Sequence, residues 1–176
     1  MKIIKTNLKE VLIIEPDIYK DHRGYFLETF HSEKFDEIGI NAAFVQDNFS
    51  FSSRGVLRGL HYQISSPQGK LVRCVFGRVL DVVVDINPLS ETFLQHTKVY
   101  LDDQENHFLW IPPGYAHGFV TLSKEAGFSY KCTSHYDPND EGGIIWNDKT
   151  LSIDWGIDSP IVSSKDLKNS SIKDIF

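Results

Sequence analysis

The chain lacks the composition that marks nucleic-acid-binding or disulfide-rich proteins. Its 176 residues contain two cysteines, and its 18 lysines and arginines are outnumbered by 24 aspartates and glutamates, giving a formal net charge of −6. Generic binding to nucleic acid depends on an excess of basic residues that neutralise phosphates, so this charge argues against it. A small anionic ligand remains compatible, since it needs only a few arginines in a pocket.

Long apolar runs are also absent. No stretch approaches the roughly 20 residues that a membrane-spanning helix needs. Residues 1–6 carry a charge but no apolar core and no small-residue cleavage site, so we expect no export signal. Cys74 and Cys132 lie in strand-like runs, where free cysteine behaves as a small buried hydrophobe. We therefore expect a reduced, cytoplasmic protein with no membrane partner, and the sequence leaves a disulfide between the two cysteines open.

Helix signals are few, and most of the chain has the pattern of short β-strands. One helix is predicted over 32–38, with Ser32 as its cap and Gly39 as its stop, and a second at 165–168 and beyond. Apolar residues alternate with polar ones in segments such as 80–86 and 128–133, and clusters of turn-forming residues separate these segments. The pattern predicts one all-β domain over 1–176, a sandwich or barrel with short helical ends.

Two histidines raise the question of a metal. His61 lies in the apolar run 55–63, and His117 follows a proline-glycine turn. Cupin-type barrels bind metal through a His-x-His pair and a glutamate, with a further histidine after a Pro-x-Gly turn. Here Gln63 stands at the place of the second histidine and no glutamate lies between Gln63 and Gly77, so these motifs cannot supply a three-histidine site. An imidazole without metal is a candidate proton carrier, and the alternative is an ordinary, partly buried histidine.

Two arginines are candidates for holding a phosphate or pyrophosphate. Arg23 and Arg58 have the planar, bidentate donor geometry for that task, although either residue taken singly is more often a surface arginine. Arg58 lies in an apolar run and needs a partner if it is buried. In a regular strand Arg58 and His61, three residues apart, would point to opposite faces. A bulge at Gly59 would turn both side chains toward one pocket.

A predicted strand carries one polar face, which is either solvated or turned inward to hydrogen-bond a ligand. This face consists of Gln46, Asn48, Ser50 and Ser52.

Three further residues have both a structural and a catalytic interpretation. Lys70 begins a strand and is either a surface lysine or a group that stabilises a developing oxyanion. Tyr130 shares a face with apolar neighbours, so it faces the core, as a packing residue or as an acid. Asp166 either caps a C-terminal helix or orients an imidazole, and nothing local decides between these roles.

Together these motifs resemble one enzyme family nearly from end to end. The chain is similar to the dTDP-4-dehydrorhamnose 3,5-epimerases, which are metal-free cupin enzymes. The resemblance implies a cupin-type double-stranded β-helix, or jelly-roll barrel, with short helices at its periphery and C-terminus. The motifs that carry it are Asp21-x-Arg23-Gly24-x-Phe26-x-Glu28, Gln46-x-Asn48-x-Ser50, Gly55-Val56-Leu57-Arg58-Gly59-Leu60-His61-Tyr62-Gln63, Lys70-Leu71-Val72, Asp81-Val82-x-Val84-Asp85, Ile111-Pro112-x-Gly114-x-Ala116-His117-Gly118-Phe119, Tyr130 and Ser164-Lys165-Asp166.

The resemblance also implies a reaction, the epimerisation of a dTDP-linked 4-keto-6-deoxy sugar at C3 and C5. His61 would be the general base, paired with Asp166, and Lys70 would hold the enolate oxygen. Tyr130 would return a proton from the opposite face of the ring. No metal or cofactor is implied.

The same resemblance places nine residues around the substrate. It implies a homodimer in which an N-terminal segment reaches the neighbouring subunit, so that Arg23, Phe26 and Glu28 serve the partner's site. The implied binding residues are Arg23, Phe26, Glu28, Gln46, Asn48, Arg58, His117, Glu141 and Lys165.

Three other functions remain open at this level. Departures from the family pattern at Asn87, Tyr115 and Gly156 leave room for a mono-epimerase that inverts C3 or C5 alone. A sugar-nucleotide-binding cupin without turnover is a second alternative, although binding alone needs neither a base nor an acid. A metal dioxygenase is a third, and the broken ligand set argues against it.

Overall fold

The computed structural model, which describes residues 1–176, consists mainly of short β-strands. Two α-helices, α1 (Ser32–Glu37) and α2 (Ile172–Ile175), and a 3-10 helix (Asp166–Lys168) complete it. None of its helices is both long and apolar enough to cross a membrane. The predicted all-β class with short helical ends is confirmed. The strands are β1 (Lys2–Lys5), β2 (Leu12–Glu15), β3 (Ile18–Asp21), β4 (Gly24–Leu27), β5 (Gln46–Ser53), β6 (Val56–Gln63), β7 (Lys70–Phe76), β8 (Arg78–Asp85), β9 (His96–Asp102), β10 (Phe108–Ile111), β11 (Tyr115–Thr121), β12 (Glu125–Cys132), β13 (Glu141–Gly143) and β14 (Ile161–Val162).

The strands form two main sheets that face each other. The first has the order β1-β2-β10-β7-β12-β5 and the second the order β13-β6-β11-β8-β9, while β3 and β4 form a separate hairpin. All pairs are antiparallel except β14, which pairs in parallel with β6. From β5 onward the chain passes repeatedly from one sheet to the other, and this connectivity is that of a jelly roll.

The space between the sheets is filled by apolar side chains from both. Val72 and Phe128 of the first sheet meet Val83 and Phe119 of the second in one buried cluster. The rings of Phe119 and Phe128 stack with their centroids 4.2 Å apart. Fully burying a side chain of this size contributes about 1.5–3 kcal/mol to stability, so this layer holds the two walls of the barrel in place.

Both cysteines lie in the interior as free thiols. Cys74 and Cys132 are buried and form no disulfide. Burial raises the pKa of the Cys74 thiol to about 12, so that it stays protonated and unreactive.

Helix α1 packs against the outer face of the first sheet. Phe35 is its buried residue, and its ring lies 5.0 Å from that of Phe30. The N-cap is His31, in extended conformation and without a side-chain cap hydrogen bond, so the prediction that Ser32 caps the helix is wrong. The stop at Gly39 has a physical basis, because its φ of +86° ends the helical path.

The C-terminal segment is tied to the outside of the second sheet. One carboxyl oxygen of Asp148 accepts the backbone N–H groups of Thr150 and Leu151, and the other accepts that of Ile172. A bridge between Ile144 and Ser170 adds a second tie. These contacts hold the 3-10 helix against β6, close to the barrel mouth.

A bulge in β6 sets the direction of its two polar side chains. Between Arg58 and His61 this strand advances three residues, whereas β11 advances two between the paired Phe119 and His117. Gly59 is the extra residue, with a φ of +123°, and a Cβ there would lie 2.5 Å from the Gly118 Cα. The bulge predicted from strand parity is confirmed, and Arg58 and His61 both face the same cavity.

Candidate active site

A cavity of about 600 Å³ opens between the two sheets and the C-terminal segment. Thirteen residues were predicted to be catalytic or substrate-binding. Ten of them line this cavity, although they come from distant parts of the chain. These ten are Gln46, Asn48, Arg58, His61, Lys70, His117, Tyr130, Glu141, Lys165 and Asp166.

His61 is held by a buried carboxylate. Its Nε2 lies 2.8 Å from Oδ1 of Asp166, and Oδ2 of Asp166 accepts the backbone N–H of Gly59 at 3.3 Å. Burial favours the protonated carboxyl, but the hydrogen bond and charge of His61 outweigh it and keep the pKa of Asp166 below its usual value. An ionised Asp166 accepts a hydrogen bond from Nε2–H, which leaves Nδ1 as the basic nitrogen of His61.

Tyr130 and Lys70 lie on the opposite wall, on β12 and β7 of the first sheet. Burial raises the pKa of the Tyr130 phenol, so the hydroxyl keeps its proton at neutral pH and can donate it. Burial lowers the pKa of the Lys70 ammonium, and the nearby Cys132, Asp81 and Glu141 counteract part of this effect. The cavity thus has a histidine on one wall and a phenol with a lysine on the other.

The polar face of β5 points into the cavity and not into solvent. Gln46, Asn48 and Ser50 line the cavity, while Phe49 and Phe51 are 60% and 54% exposed on the outside. Of the two interpretations of this face, the structure shows the inward one. The hydroxyl of Ser50 is buried and has no hydrogen-bond partner, so it is free to bind a ligand. The sequence analysis placed Ser50 on this polar face but did not include it among the nine binding residues.

Arg58 projects from β6 toward the same strand. Its Nε donates to Oγ of Ser52 at 3.1 Å, and its Nη2 donates to the Phe51 carbonyl at 3.3 Å. The guanidinium is solvent-exposed, so it needs no buried counter-charge and has donors left for an anion.

A second histidine–carboxylate pair lies beside the first. His117 pairs with His61 across β11 and β6, and its Nε2 is 2.8 Å from Oδ2 of the fully buried Asp81. Sequence analysis did not select Asp81 as a site residue. Two signals were available: Asp81 begins one of the motifs that carry the family resemblance, and its acidic side chain lies in the apolar strand β8.

Gln63 stands at the position where a metal-binding cupin has its second histidine, and here it ties two loops together by hydrogen bonds, an arrangement called the Gln63 clamp below. Its buried amide donates to the carbonyls of Ser66 at 2.8 Å and His135 at 3.3 Å, and accepts the backbone N–H of Asp137 at 2.8 Å. All its hydrogen bonds go to the backbone of two loops. No three His, Cys, Asp or Glu side chains in the structure are grouped as a metal site would require.

Three predicted binding residues lie outside the cavity of their own chain. Arg23 pairs with Asp21 at 2.5 Å, Glu28 pairs with Lys34 at 2.8 Å, and Phe26 is 67% exposed. Arg23 and Phe26 belong to the hairpin of β3 and β4, most of whose residues are exposed. None of the three residues lines the cavity of its own chain.

The family follows from comparison with known proteins. A family model described as dTDP-4-dehydrorhamnose 3,5-epimerase matches residues 5–174. The chain belongs to this family. The dTDP-4-dehydrorhamnose 3,5-epimerase of Shigella flexneri is 48% identical over 176 residues, which cover 99% of this chain and 97% of that enzyme. The enzyme of Methanothermobacter thermautotrophicus is 49% identical over 94% of this chain and 91% of its own length.

Solved structures of this epimerase family have the same fold. A dTDP-6-deoxy-D-glucose-3,5-epimerase of Legionella pneumophila, in complex with dTDP-4-keto-L-rhamnose, superimposes with a TM-score of 0.97 at 47% identity, covering 99% of this chain and 94% of that one. A 3′-monoepimerase of Streptomyces bikiniensis, in complex with dTDP-quinovose, has a TM-score of 0.90 at 33% identity, covering 96% and 86%. The chain is thus an isomerase of the epimerase type with a cupin-like barrel, as predicted. Since mono-epimerases share the fold, the fold alone does not set the number of carbons inverted.

Proposed function

We propose that this epimerase converts dTDP-4-dehydro-6-deoxy-D-glucose into dTDP-4-dehydro-L-rhamnose by inverting C3 and C5. The observation that carries this proposal is the placement of His61, held by Asp166, on one wall of the cavity and Tyr130 on the other. Inversion needs two proton carriers on opposite faces of the sugar ring, because a single base returns a proton only to its own side.

The proposed mechanism uses the substrate's ketone at C4, which acidifies the protons on C3 and C5. Nδ1 of His61 removes one of these protons, and the charge moves to the C4 oxygen as an enolate. The Lys70 ammonium stabilises that oxygen in a water-poor cavity, where its charge is most effective. Tyr130 then donates its phenolic proton to the opposite face of the carbon.

The remaining cavity residues bind the nucleotide and the sugar in this proposal. Arg58 holds the pyrophosphate, while Gln46 and Asn48 contact the nucleotide. The other cavity contacts come from His117, Glu141 and Lys165. No cofactor takes part, and the cytoplasmic location stays a prediction, as does the lack of nucleic-acid and membrane partners.

We further propose a homodimer in which Arg23, Phe26 and Glu28 complete the partner's cavity. Two observations support this assignment. These residues are remote from their own cavity, on or next to an exposed hairpin that carries apolar side chains. The outer face of the edge strand β5 also exposes Phe49 and Phe51, and aromatic patches of this kind are typical of protein interfaces.

Subunit complementation tests the shared cavity. We expect Arg23→Ala and His61→Ala each to be nearly inactive alone. Mixing equal amounts under conditions of subunit exchange should restore about a quarter of wild-type activity, since half the dimers are then mixed and each has one intact site. No recovery, with exchange verified by mass spectrometry, would show that Arg23 acts in its own subunit.

The reaction itself is tested by NMR of dTDP-4-keto-6-deoxyglucose with the protein in deuterated water. We expect deuterium to enter at C3 and C5 with inversion at both, and the activity to survive treatment with a chelator. Exchange and inversion at one carbon alone would identify a mono-epimerase. Ligand-induced shifts without any exchange would identify a binding protein without turnover.

A further inference from the structure

A double inversion creates a problem of proton balance at the catalytic pair. Under the proposed function, each inversion moves one proton from carbon to His61 and one from Tyr130 to carbon. His61 is then an imidazolium and Tyr130 a phenolate. The same pair cannot serve the second carbon until His61 has lost its proton and Tyr130 has regained one.

The side chain of Glu141 lies next to the nitrogen that carries the excess proton. While Asp166 holds Nε2 of His61, Oε1 of Glu141 is 4.0 Å from Nδ1. Glu141 projects from β13, which pairs with β6 so that Gly143 is opposite His61. The gap exceeds hydrogen-bond distance, but a small rotation of the glutamate side chain closes it, and catalytic hydrogen bonds commonly shorten when substrate is bound.

The second oxygen of the same carboxylate contacts groups at the solvent-exposed mouth of the cavity. Oε2 of Glu141 accepts the Tyr136 hydroxyl at 2.9 Å and pairs with the Lys165 ammonium. The side chain of Glu141 is 10% exposed, whereas that of Lys165 is 58% exposed. The carboxylate therefore bridges the inner nitrogen of His61 and groups at the cavity mouth.

We propose that Glu141 is the proton exit of His61 between the two inversions. The Nδ1–H bond of the imidazolium breaks and an O–H bond forms on Oε1 of Glu141, which regenerates the neutral base. Glu141 then loses this proton to water at the cavity mouth. The Tyr130 phenolate takes a proton from water, so the pair returns to its starting state with no net change.

The surroundings of the two carboxylates favour this division of roles. Asp166 is 5% exposed and its second oxygen is bound to the backbone of Gly59, so it orients the imidazole but has no path to solvent. Burial of Glu141 favours its protonated form, but hydrogen bonds from Lys165 and Tyr136 outweigh burial and keep its pKa below the usual value. Glu141 therefore passes a proton on and does not keep it.

Replacing Glu141 by glutamine tests the exit, because the amide keeps the shape and an acceptor oxygen but cannot take the proton. We expect Glu141→Gln, followed in a single turnover, to slow the second inversion at least about 10-fold more than the first, a difference within the range of one proton-transfer group. The singly inverted sugar should accumulate, as followed by NMR in deuterated water. Added formate or acetate should restore the second step by accepting the proton.

Two further variants distinguish the loss of proton transfer from effects on substrate binding and folding. Glu125→Gln, an exposed glutamate at the start of β12, is the matched control and should keep the wild-type ratio of the two steps. Glu141→Asp keeps the carboxylate and should lose less of the second step than the glutamine variant. The proton-exit role of Glu141 would be overturned if Glu141→Gln, with the melting temperature of wild type, lost equal rate at both carbons and formate did not restore it. The proposed double inversion would not be affected by that result. Inversion of one carbon by the wild type would overturn both.

Discussion

Replacing His61 by alanine is expected to abolish proton exchange at both C3 and C5. One imidazole, held by Asp166 at 2.8 Å, faces the cavity as the base in the proposed mechanism, and its removal leaves Asp166 without access to the ring protons. General bases contribute about 100- to 10,000-fold to such reactions, and we expect a loss at the upper end of this range. NMR of the substrate in deuterated water, recorded carbon by carbon, measures the loss directly.

The control for this variant is His107→Ala, a histidine just before β10 that does not line the cavity. It should exchange both protons at the wild-type rate. Continued exchange at C5 in His61→Ala would show that a second base serves that carbon. Nucleotide binding by the variant, followed by calorimetry, shows that the cavity is still formed.

Replacing Tyr130 by phenylalanine is expected to separate exchange from inversion. His61 can still remove a proton, and it returns a deuteron from solvent to the same face of the ring. Deuterium should therefore enter with retention of configuration, while inversion falls by about 100- to 10,000-fold because its acid is missing. The phenylalanine ring keeps the packing of Tyr130 against Phe128, whose centroid is 6.2 Å away, so the cavity wall should persist.

Tyr100→Phe provides the matched control, because this tyrosine lies on the exposed edge strand β9, where its ring packs against Arg78. It should leave the ratio of exchange to inversion unchanged. If Tyr130→Phe lowered exchange and inversion equally, Tyr130 would not be the acid of the opposite face.

Local rules of strand geometry predicted the parts of the site that depend on neighbouring residues. Opposite strand parity of Arg58 and His61, with a glycine between them, predicted the bulge at Gly59 that the structure contains. Inward orientation of the β5 polar face was one of two open alternatives, because alternation shows that two faces differ but not which one meets the core. The predicted cap at Ser32 is wrong because the helix begins one residue earlier, so that Ser32 is its first residue and His31 is its N-cap.

Contacts between distant segments could not be predicted in this way. Asp166 lies 105 residues after His61, and no local pattern links them, so their pairing came from the family resemblance. Tyr136 follows β12 in a cluster of turn residues and gave no signal of a role in the cavity. The separation of Arg23 from its own cavity also depends on the tertiary fold.

The Gln63 clamp bears on how the cavity could change during evolution. A single replacement by histidine would add a metal ligand but remove hydrogen bonds to three backbone groups in two loops. A buried group left without its partner costs about 1–3 kcal/mol, so such a step would lose stability before any metal could compensate. A change to metal chemistry at this position would therefore require compensating changes in both loops as well as at Gln63.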